Sequence, residues 1–509
     1  MTRVIVLGFD GLSPEMAASM PSLSQLNLYS MDSLIPLTYS SWPSIMSGVN
    51  PGKHGIYDFF KYNKSSDGGW SFDIVTSLDL QYPRINEIIE LAGPRHNPKY
   101  AFINPIPSYP LSPLRARKGF VASLDFFTPK PVSSDDSILR ESIDLEKLSL
   151  LIDKFMGTLS CDRVVEYARE KIRLYHSMLK WFIDAGYDLV WITINLPDAL
   201  LHRCPQALPQ NGKRYLESIL EELDSMVSYS RSRADNLIVV SDHGFKEYKG
   251  VVRLNSLLYK NGYAVRARDE SSILRLDSAF DDRPEKNIKL NPKLVKLSFA
   301  IARGPLRRVL RRGYWLAYRV ATAITGKGIT YDIPGGADSR ESKAFTPSGS
   351  KKATPKYVIL LNDLSIRRDL IDLLEKAGLY AFYSRDLLWG PHVPDFIVFT
   401  YGLERHPVAG TTYETPIDDS RTVTNHSRFG VLAVATEDPD LVSATGDVVH
   451  GFLATPLALC GLGVPLDDYM DGVSYLGGKC KGERIDYRAR WTIRKRLARS
   501  RISTRVKIV

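Results

Sequence analysis

The sequence predicts an α/β fold in which a mostly parallel central sheet carries helices on both faces. Short apolar runs rich in β-branched residues alternate with longer stretches whose apolar residues recur every three or four positions. Such runs are typical of strands buried on both faces, and the alternation is typical of parallel strands joined by helices. With 509 residues, 44% of them hydrophobic, the chain can form a large core.

Six runs are predicted to form strands. They are RVIVLGF (residues 3–9), YAFI (100–103), DLVWITI (188–194), NLIVVS (236–241), DFIVFT (395–400) and FGVLAVA (429–435). Before the third run, residues 162–186 have the period of a helix and end at Gly186, a common helix stop.

The strand pattern stops between residues 246 and 342, where a basic, helix-like stretch appears. We interpret this region as an insertion that caps a site at the carboxyl ends of the predicted strands, because α/β enzymes vary through the loops at those ends. An interfacial amphipathic helix at residues 293–325 is the alternative interpretation. The predicted organisation is a first part of the catalytic core (1–245), an inserted helical, basic cap or substrate region (246–342), a second core part (343–480) and a basic C-terminal tail (481–509).

The net charge of +10 is concentrated in residues 303–313 and 488–507. Charge runs are usually solvated, so no specific nucleic-acid partner is predicted. Weak contact of these segments with an anionic membrane surface is kept as an alternative. The oligomeric state is not predicted.

The four cysteines, Cys161, Cys204, Cys460 and Cys480, are far apart and form no C-x-x-C pair. We therefore expect neither a disulfide framework nor a thiolate zinc site, which favours a reducing compartment. The first apolar run is too short for a signal peptide, and no apolar stretch approaches the length of a membrane span. These features predict a cytoplasmic protein, at most peripheral to a membrane.

Carboxylates and histidines lie next to several predicted strands. They are Asp10 after residues 3–9, Asp198 and His202 after 188–194, Asp242 and His243 after 236–241, and His426 before 429–435. An open α/β sheet binds ligands at the carboxyl ends of its strands. Burying these groups together would be costly without cations, and three Asp with three His suit two divalent ions.

A pair of metal ions needs a nucleophile between them. The stretch PLTYSSWPSIMSG (residues 36–48) is typical of a loop entering a helix, whose first amides and dipole favour an anion. A hydroxyl near the helix start could attack phosphorus. Position alone leaves Thr38, Ser40 and Ser41 as candidates, with an ordinary N-cap as the simpler role.

These motifs resemble the type I phosphodiesterase and nucleotide pyrophosphatase branch of the alkaline phosphatase superfamily. The resemblance covers almost the whole chain: VIVLGFDGLSPEM, PLTYSSWPSIMSGVNPGKHGIYDF, INPIPSYPLSP, LPDALLH, VSDHGF, RLNSLLYKNGY, HSRFG and LCGLGVPLDDYMDG, in that order. It implies an alkaline-phosphatase-like fold. It also implies hydrolysis of phosphodiester or phosphoanhydride bonds in a small-molecule phosphoester substrate.

The resemblance also implies roles for seven residues. Asp10, Thr38, Asp242 and His243 match the ligands of one metal ion, and Asp198, His202 and His426 match those of a second. Thr38 also matches the nucleophile. Two divalent ions are therefore expected, zinc first and manganese as the alternative. In the implied reaction Thr38 attacks the ester and an alcohol leaves, and then a metal-activated water cleaves the phosphothreonine from the opposite side.

Two positions depart from the nucleotide pyrophosphatases of this branch. Those proteins have T-F-P-N at the nucleophile, with the aromatic ring stacked on a base, and a downstream Asn that touches phosphate. Here the first motif is Thr38-Tyr39-Ser40-Ser41, and Phe59 replaces that Asn. We expect Tyr39 and Phe59 at the substrate-binding site, where Tyr39 either stacks on a ring or packs. Nucleotide specificity is therefore not implied.

Other functions fit the same residues. The absence of an arginine beside Thr38 favours a diester over a doubly charged monoester. The alternatives within the superfamily are a phosphomonoesterase, a phosphonate hydrolase and a phosphotransferase. A non-catalytic protein that binds anions or a membrane surface is the alternative outside it.

Overall fold

The computed structural model describes most of the chain. The described residues are 2–64, 70–124, 131–149, 160–208, 215–266, 275–278, 327–330, 337–347, 357–402, 404–410, 412, 414–420, 422–437, 447–477, 480 and 483–506.

The described part of the chain forms strands throughout its length. In chain order they are β1 (Thr2–Phe9), β2 (Asn27–Asp32), β3 (Phe60–Lys64), β4 (Trp70–Ile74), β5 (Tyr100–Ile103), β6 (Gly119–Ser123), β7 (Val132–Ser133), β8 (Leu189–Ile194), β9 (Ala234–Val240), β10 (Gly244–Tyr248), β11 (Gly250–Arg253), β12 (Arg275–Ser278), β13 (Lys327–Thr330), β14 (Ala344–Phe345), β15 (Val358–Leu361), β16 (Leu379–Tyr383), β17 (Phe396–Gly402), β18 (Arg405–Val408), β19 (Ile417–Asp418), β20 (Val423–Ser427), β21 (Phe429–Thr436) and β22 (Val448–His450).

Helices separate many of these strands. The α-helices are α1 (Pro14–Ala18), α2 (Thr38–Ser47), α3 (Pro51–His54), α4 (Ile85–Leu91), α5 (Asp136–Ser142), α6 (Cys161–Asp184), α7 (Asp198–Leu201), α8 (Tyr215–Arg231), α9 (Leu254–Lys260), α10 (Arg367–Lys376), α11 (Ser384–Leu387), α12 (Ala454–Leu462) and α13 (Tyr487–Val506). Short 3₁₀ helices span Leu23–Gln25, Pro205–Ala207, Leu364–Ile366, Gly451–Leu453 and Asp471–Tyr475.

The central sheet has nine strands in the order β22-β2-β21-β9-β1-β8-β5-β6-β7. Five consecutive strands of this sheet, from β9 to β6, run parallel. Strands β21 and β7 are antiparallel to their neighbours in this parallel block. The predicted α/β class with a mostly parallel sheet is confirmed.

Helices cover both faces of this sheet, and alternate residues of β1 face the two layers. Ile5 and Leu7 belong to a core that includes buried side chains of α6 and α8. Val4 and Val6 belong to a second core with side chains of α2, α4 and α12. A strand buried on both faces explains why its sequence is apolar without alternation.

A smaller four-stranded antiparallel sheet, β14-β15-β17-β16, lies apart from the central one. Five of the six predicted strand runs lie in the central sheet, but residues 395–400 fall in β17 of this smaller sheet. Phe396 to Phe399 are buried in a third core, so an apolar run marks a strand without revealing its partners.

Much of the predicted cap, including residues 293–325, lies outside the described residues. The domain boundaries therefore stay predictions. The described part of the basic tail is largely the helix α13, whose Tyr487 and Trp491 are buried in the core with α4 and α12. No helix in the described part of the chain has both the length and the apolarity needed to cross a membrane.

The expectation of no disulfides was wrong. The structure pairs Cys161 with Cys204 and Cys460 with Cys480, with Cα atoms 5.7 and 5.5 Å apart. Local spacing did not reveal these pairs, because 43 and 20 residues separate their members and only the fold brings them together. Cysteine spacing therefore no longer supports a reducing compartment, and the cytoplasmic location stays a prediction.

Candidate active site

The candidate site lies where three neighbouring parallel strands end. Asp10 directly follows β1, Asp198 begins α7 just past β8, and Asp242 follows β9. The amide of Asp198 donates to the carbonyl of Asp10 at 3.0 Å, so the two segments touch. Gly11 permits this contact, because it has φ +77° and a Cβ there would lie 2.9 Å from Cβ of Asp198.

Asp10, Asp242 and His243 form the first group that could hold a metal ion. His243 Nε2 lies 3.2 Å from Oδ2 of Asp242 and 3.7 Å from Oδ1 of Asp10. The Thr38 hydroxyl is 3.5 Å from the same nitrogen. All four side chains are buried. This is the set that the family resemblance implied for one ion.

Asp198, His202 and His426 converge next to it. Oδ1 of Asp198 lies 3.2 Å from Nε2 of both histidines, and the two Nε2 atoms are 2.9 Å apart. His243 also lies within reach of a metal ion held by Asp198 and His426. The two groups are therefore adjacent, with His243 between them.

Backbone carbonyls orient two of these imidazoles. Nδ1 of His243 lies 3.1 Å from the carbonyl oxygen of Gly244, and Nδ1 of His426 lies 2.9 Å from that of Pro36. An Nδ1–H that donates to a carbonyl leaves Nε2 unprotonated and free to bind a cation. Pairing of β10 with β20 sets Phe245 opposite His426, which brings His426 beside His243.

The electrostatics of the site favour cations. Burial, and then the charges of Asp242 and Asp198, raise the pKa of Asp10 well above its usual value. Burial and Asp198 likewise raise the pKa of Asp242. Burial alone would raise the pKa of Asp198, but His202 and His426 outweigh it and hold that pKa well below the usual value. Burial lowers the pKa of His243, which keeps its imidazole neutral.

The same carboxylates have unsatisfied oxygens. Asp10 Oδ1, Asp198 Oδ1 and Asp242 Oδ2 are buried and accept no hydrogen bond. Among the described residues, no lysine or arginine forms an ion pair with these three side chains. Buried carboxylates need a compensating positive charge. His202 and His426 stabilise the Asp198 carboxylate, but the neutral imidazole of His243 cannot do the same for Asp10 and Asp242. The donor set therefore fits two divalent cations.

Of the three candidate hydroxyls, one faces the metal-binding groups. Thr38 is the first residue of α2, which places its side chain at the positive end of the helix dipole. Ser40 Oγ donates to the carbonyl of Ile56 at 3.4 Å, and Ser41 Oγ donates to that of Ile35 at 2.9 Å. Those two serines therefore stabilise the backbone around the helix.

Tyr39 and Phe59, the expected substrate-binding residues, contact each other, with ring centroids 4.5 Å apart. Tyr39 is buried, and Phe59 packs partly buried against the same core. Burial raises the pKa of the Tyr39 hydroxyl, so it stays protonated at neutral pH. The packing role considered for Tyr39 is the one that the contacts describe.

Sequence reasoning missed Trp42. Its Nε1–H donates to Oδ2 of Asp10 at 2.9 Å, so it holds a candidate metal ligand. The indole packs over Gly8, where a Cβ would lie 2.6 Å from the Trp42 ring. Trp42 comes one helical turn after Thr38, and this spacing could have indicated that both side chains lie on the same face of the helix.

Known proteins resemble this chain in fold. Phosphonoacetate hydrolase of Sinorhizobium meliloti 1021, in complex with phosphonoformate, matches at 14% identity with a TM-score of 0.51, over 91% of this chain and 96% of that one. Murine ectonucleotide pyrophosphatase/phosphodiesterase 5, an inactive form in complex with AMP, matches at 13% identity with a TM-score of 0.45, over 91% and 96%. At 14% identity, the likeness to phosphonoacetate hydrolase shows the fold alone. No curated protein matches the chain.

The family assignment comes from the sequence itself. The family model for type I phosphodiesterase / nucleotide pyrophosphatase matches residues 4–312, which is more than half of the chain. That range contains six of the seven candidate metal-site residues, all but His426. The chain belongs to the type I phosphodiesterase and nucleotide pyrophosphatase family of the alkaline phosphatase superfamily.

Proposed function

We propose that this protein hydrolyses phosphodiester or phosphoanhydride bonds, with Thr38 as nucleophile and two divalent cations as cofactors. The observation that carries the proposal is the position of the Thr38 hydroxyl. It lies at the start of α2 and 3.5 Å from Nε2 of His243, the residue between the two metal-binding groups.

Asp10, Asp242, His243 and Thr38 would hold one cation, and Asp198, His202 and His426 the other. Zn²⁺ suits this mixture of carboxylate and imidazole ligands, and Mn²⁺ is the alternative. When bound, the cations lower the pKa of a hydroxyl or water and neutralise charge on the phosphoryl oxygens.

The proposed reaction is a two-step displacement. Thr38 Oγ1 forms a bond to phosphorus while the bond to the leaving alcohol oxygen breaks, and the alcohol departs with a proton. Water then attacks the phosphothreonine from the side that the alcohol left, which regenerates the Thr38 hydroxyl and releases the phosphate product. The dipole of α2 favours the anionic phosphoryl group at Thr38 throughout.

The sequence beside the nucleophile favours a diester substrate. A phosphate monoester carries two charges and benefits from a bidentate arginine, and α2, which begins at Thr38, contains no arginine. Tyr39 and Phe59 pack against each other, and Tyr39 is buried, so contact of these two rings with the substrate stays a prediction.

The test is turnover of bis-p-nitrophenyl phosphate and p-nitrophenyl phosphate with Zn²⁺ or Mn²⁺. We expect the diester to be preferred. Thr38→Ala should abolish turnover, and Ser41→Ala, which removes a neighbouring buried hydroxyl, should retain most of it. Activity in Thr38→Ala would contradict the mechanism, and preference for the monoester would contradict the substrate class. Cation binding without turnover of either ester would favour a phosphonate hydrolase, a phosphotransferase or a binding protein.

A further inference from the structure

Two of the three proposed ligands of the second cation, Asp198 and His202, lie on a very short element. Asp198 begins α7, a single helical turn, and His202 caps its end. A helix of this length is not stable by itself, so other contacts must hold it in place. Residues 209–214, which follow soon after, lie outside the described part of the chain.

His202 is also the most exposed of the candidate histidine ligands. Its side chain is 37% exposed, against 6% for His426 and 0% for His243. Beyond Asp198 and His426, it makes an edge contact with the Phe245 ring at 4.9 Å. Since more than a third of this side chain is exposed, packing restrains it less than His243 or His426, and the backbone must help to hold His202 in position.

The Cys161–Cys204 disulfide restrains the backbone two residues after His202. Cys204 is buried, and its amide donates to the carbonyl of Leu200 in α7 at 2.7 Å. Cys161 is the first residue of α6, a 24-residue helix packed against the central sheet. The disulfide thus joins the end of the metal-binding turn to a long, well-packed helix.

We propose that the Cys161–Cys204 disulfide positions His202, so that breaking it weakens cation binding at Asp198, His202 and His426 and leaves binding at Asp10, Asp242 and His243 intact. This inference rests on the two-cation site of the proposed function. Cys161 is partly exposed, which gives a small reductant access to the bond. A trialkylphosphine with one water reduces the disulfide to two thiols and becomes the phosphine oxide.

The chain offers a matched control in its second disulfide. Cys460–Cys480 joins α12 to the segment before α13 and belongs to the core on the other face of the sheet. The experiment compares the full chain with Cys161→Ser/Cys204→Ser and with Cys460→Ser/Cys480→Ser. Each protein is stripped of metal and titrated with Zn²⁺ by calorimetry, at a temperature where circular dichroism shows it folded.

We expect two binding events in the unchanged protein and in the control. In Cys161→Ser/Cys204→Ser one event should weaken about 10-fold or more, as for the loss of groups that orient a ligand. His202→Ala should weaken the same event, and Asp10→Asn the other. Diesterase activity lost at low Zn²⁺ should return at high Zn²⁺, which loss of folding would not allow.

Equal weakening in both double variants, equal weakening of both events, or no weakening at all would overturn the inference while leaving the proposed function intact. An unchanged protein that binds no cation would overturn both. Should Cys161→Ser/Cys204→Ser fail to fold, phosphine treatment of the unchanged, Zn²⁺-loaded protein replaces it. Release of one of two ions is then expected, and retention of both overturns the inference.

Discussion

Trp42 provides a sharp test of how the candidate site is held. Replacing Trp42 by Phe keeps an aromatic ring over Gly8 but removes the indole N–H that donates to Oδ2 of Asp10. A hydrogen bond to a charged group contributes about 1.5–3 kcal/mol. Loss of a group that orients a metal ligand costs about 10–100-fold in metal affinity. We therefore expect Zn²⁺ binding at the Asp10, Asp242 and His243 group to weaken within that range.

The assay is calorimetric titration of metal-free protein with Zn²⁺, paired with thermal unfolding in a chelator. Trp191→Phe is the matched control, since Trp191 is also fully buried but its N–H donates to the Thr193 hydroxyl at 3.2 Å. Both variants should unfold at lower temperature, because both lose a buried hydrogen bond and packing. Only Trp42→Phe should bind Zn²⁺ more weakly. Unchanged affinity in Trp42→Phe, or an equal loss in Trp191→Phe, would refute the positioning role of Trp42.

Two further predictions concern the same site. Gly186→Ala should lose about 1–2 kcal/mol of stability because of its positive φ, and Gly11→Ala should lose more, because it has a positive φ and its Cβ would also meet Asp198. Only Gly11→Ala should weaken Zn²⁺ binding, since nothing lies within 4 Å of a Cβ at Gly186. Equal Zn²⁺ affinity in the two variants would contradict the contact argument. Cation binding should weaken as pH falls, because the raised pKa values of Asp10 and Asp242 make protons compete for the same oxygens. Calorimetric titration with Zn²⁺ over a series of decreasing pH values measures this, and an affinity that does not change with pH would contradict the argument.

The sequence indicated which carboxylates and histidines converge, but it did not indicate the residues that hold them in position. Asp10 and Asp242 directly follow buried strands, and the carboxyl ends of parallel strands meet at one edge, so their convergence follows from the fold class. Local chemistry left Thr38, Ser40 and Ser41 equivalent. The contacts of the two serines with backbone carbonyls separate them from Thr38.

Features that depend on tertiary packing could not be predicted from the sequence. The bond from Trp42 to Asp10 depends on how α2 lies against β1, and no periodicity encodes that. Residues 395–400 have the composition of a central strand, yet they pair in the smaller sheet, because strand partners are chosen by the whole fold. The disulfides were missed for the same reason, since their members are distant in sequence.

The contact between His202 and His426 joins residues 224 positions apart. The candidate ligands lie just after β1, at both ends of α7, just after β9 and in β20, so the site is complete only when nearly the entire chain has folded. Cation binding thereby becomes a measure of complete folding. A ribosome-bound chain that has not yet exposed β20 lacks His426, so under the proposed function it would not yet bind the second cation with its full set of ligands.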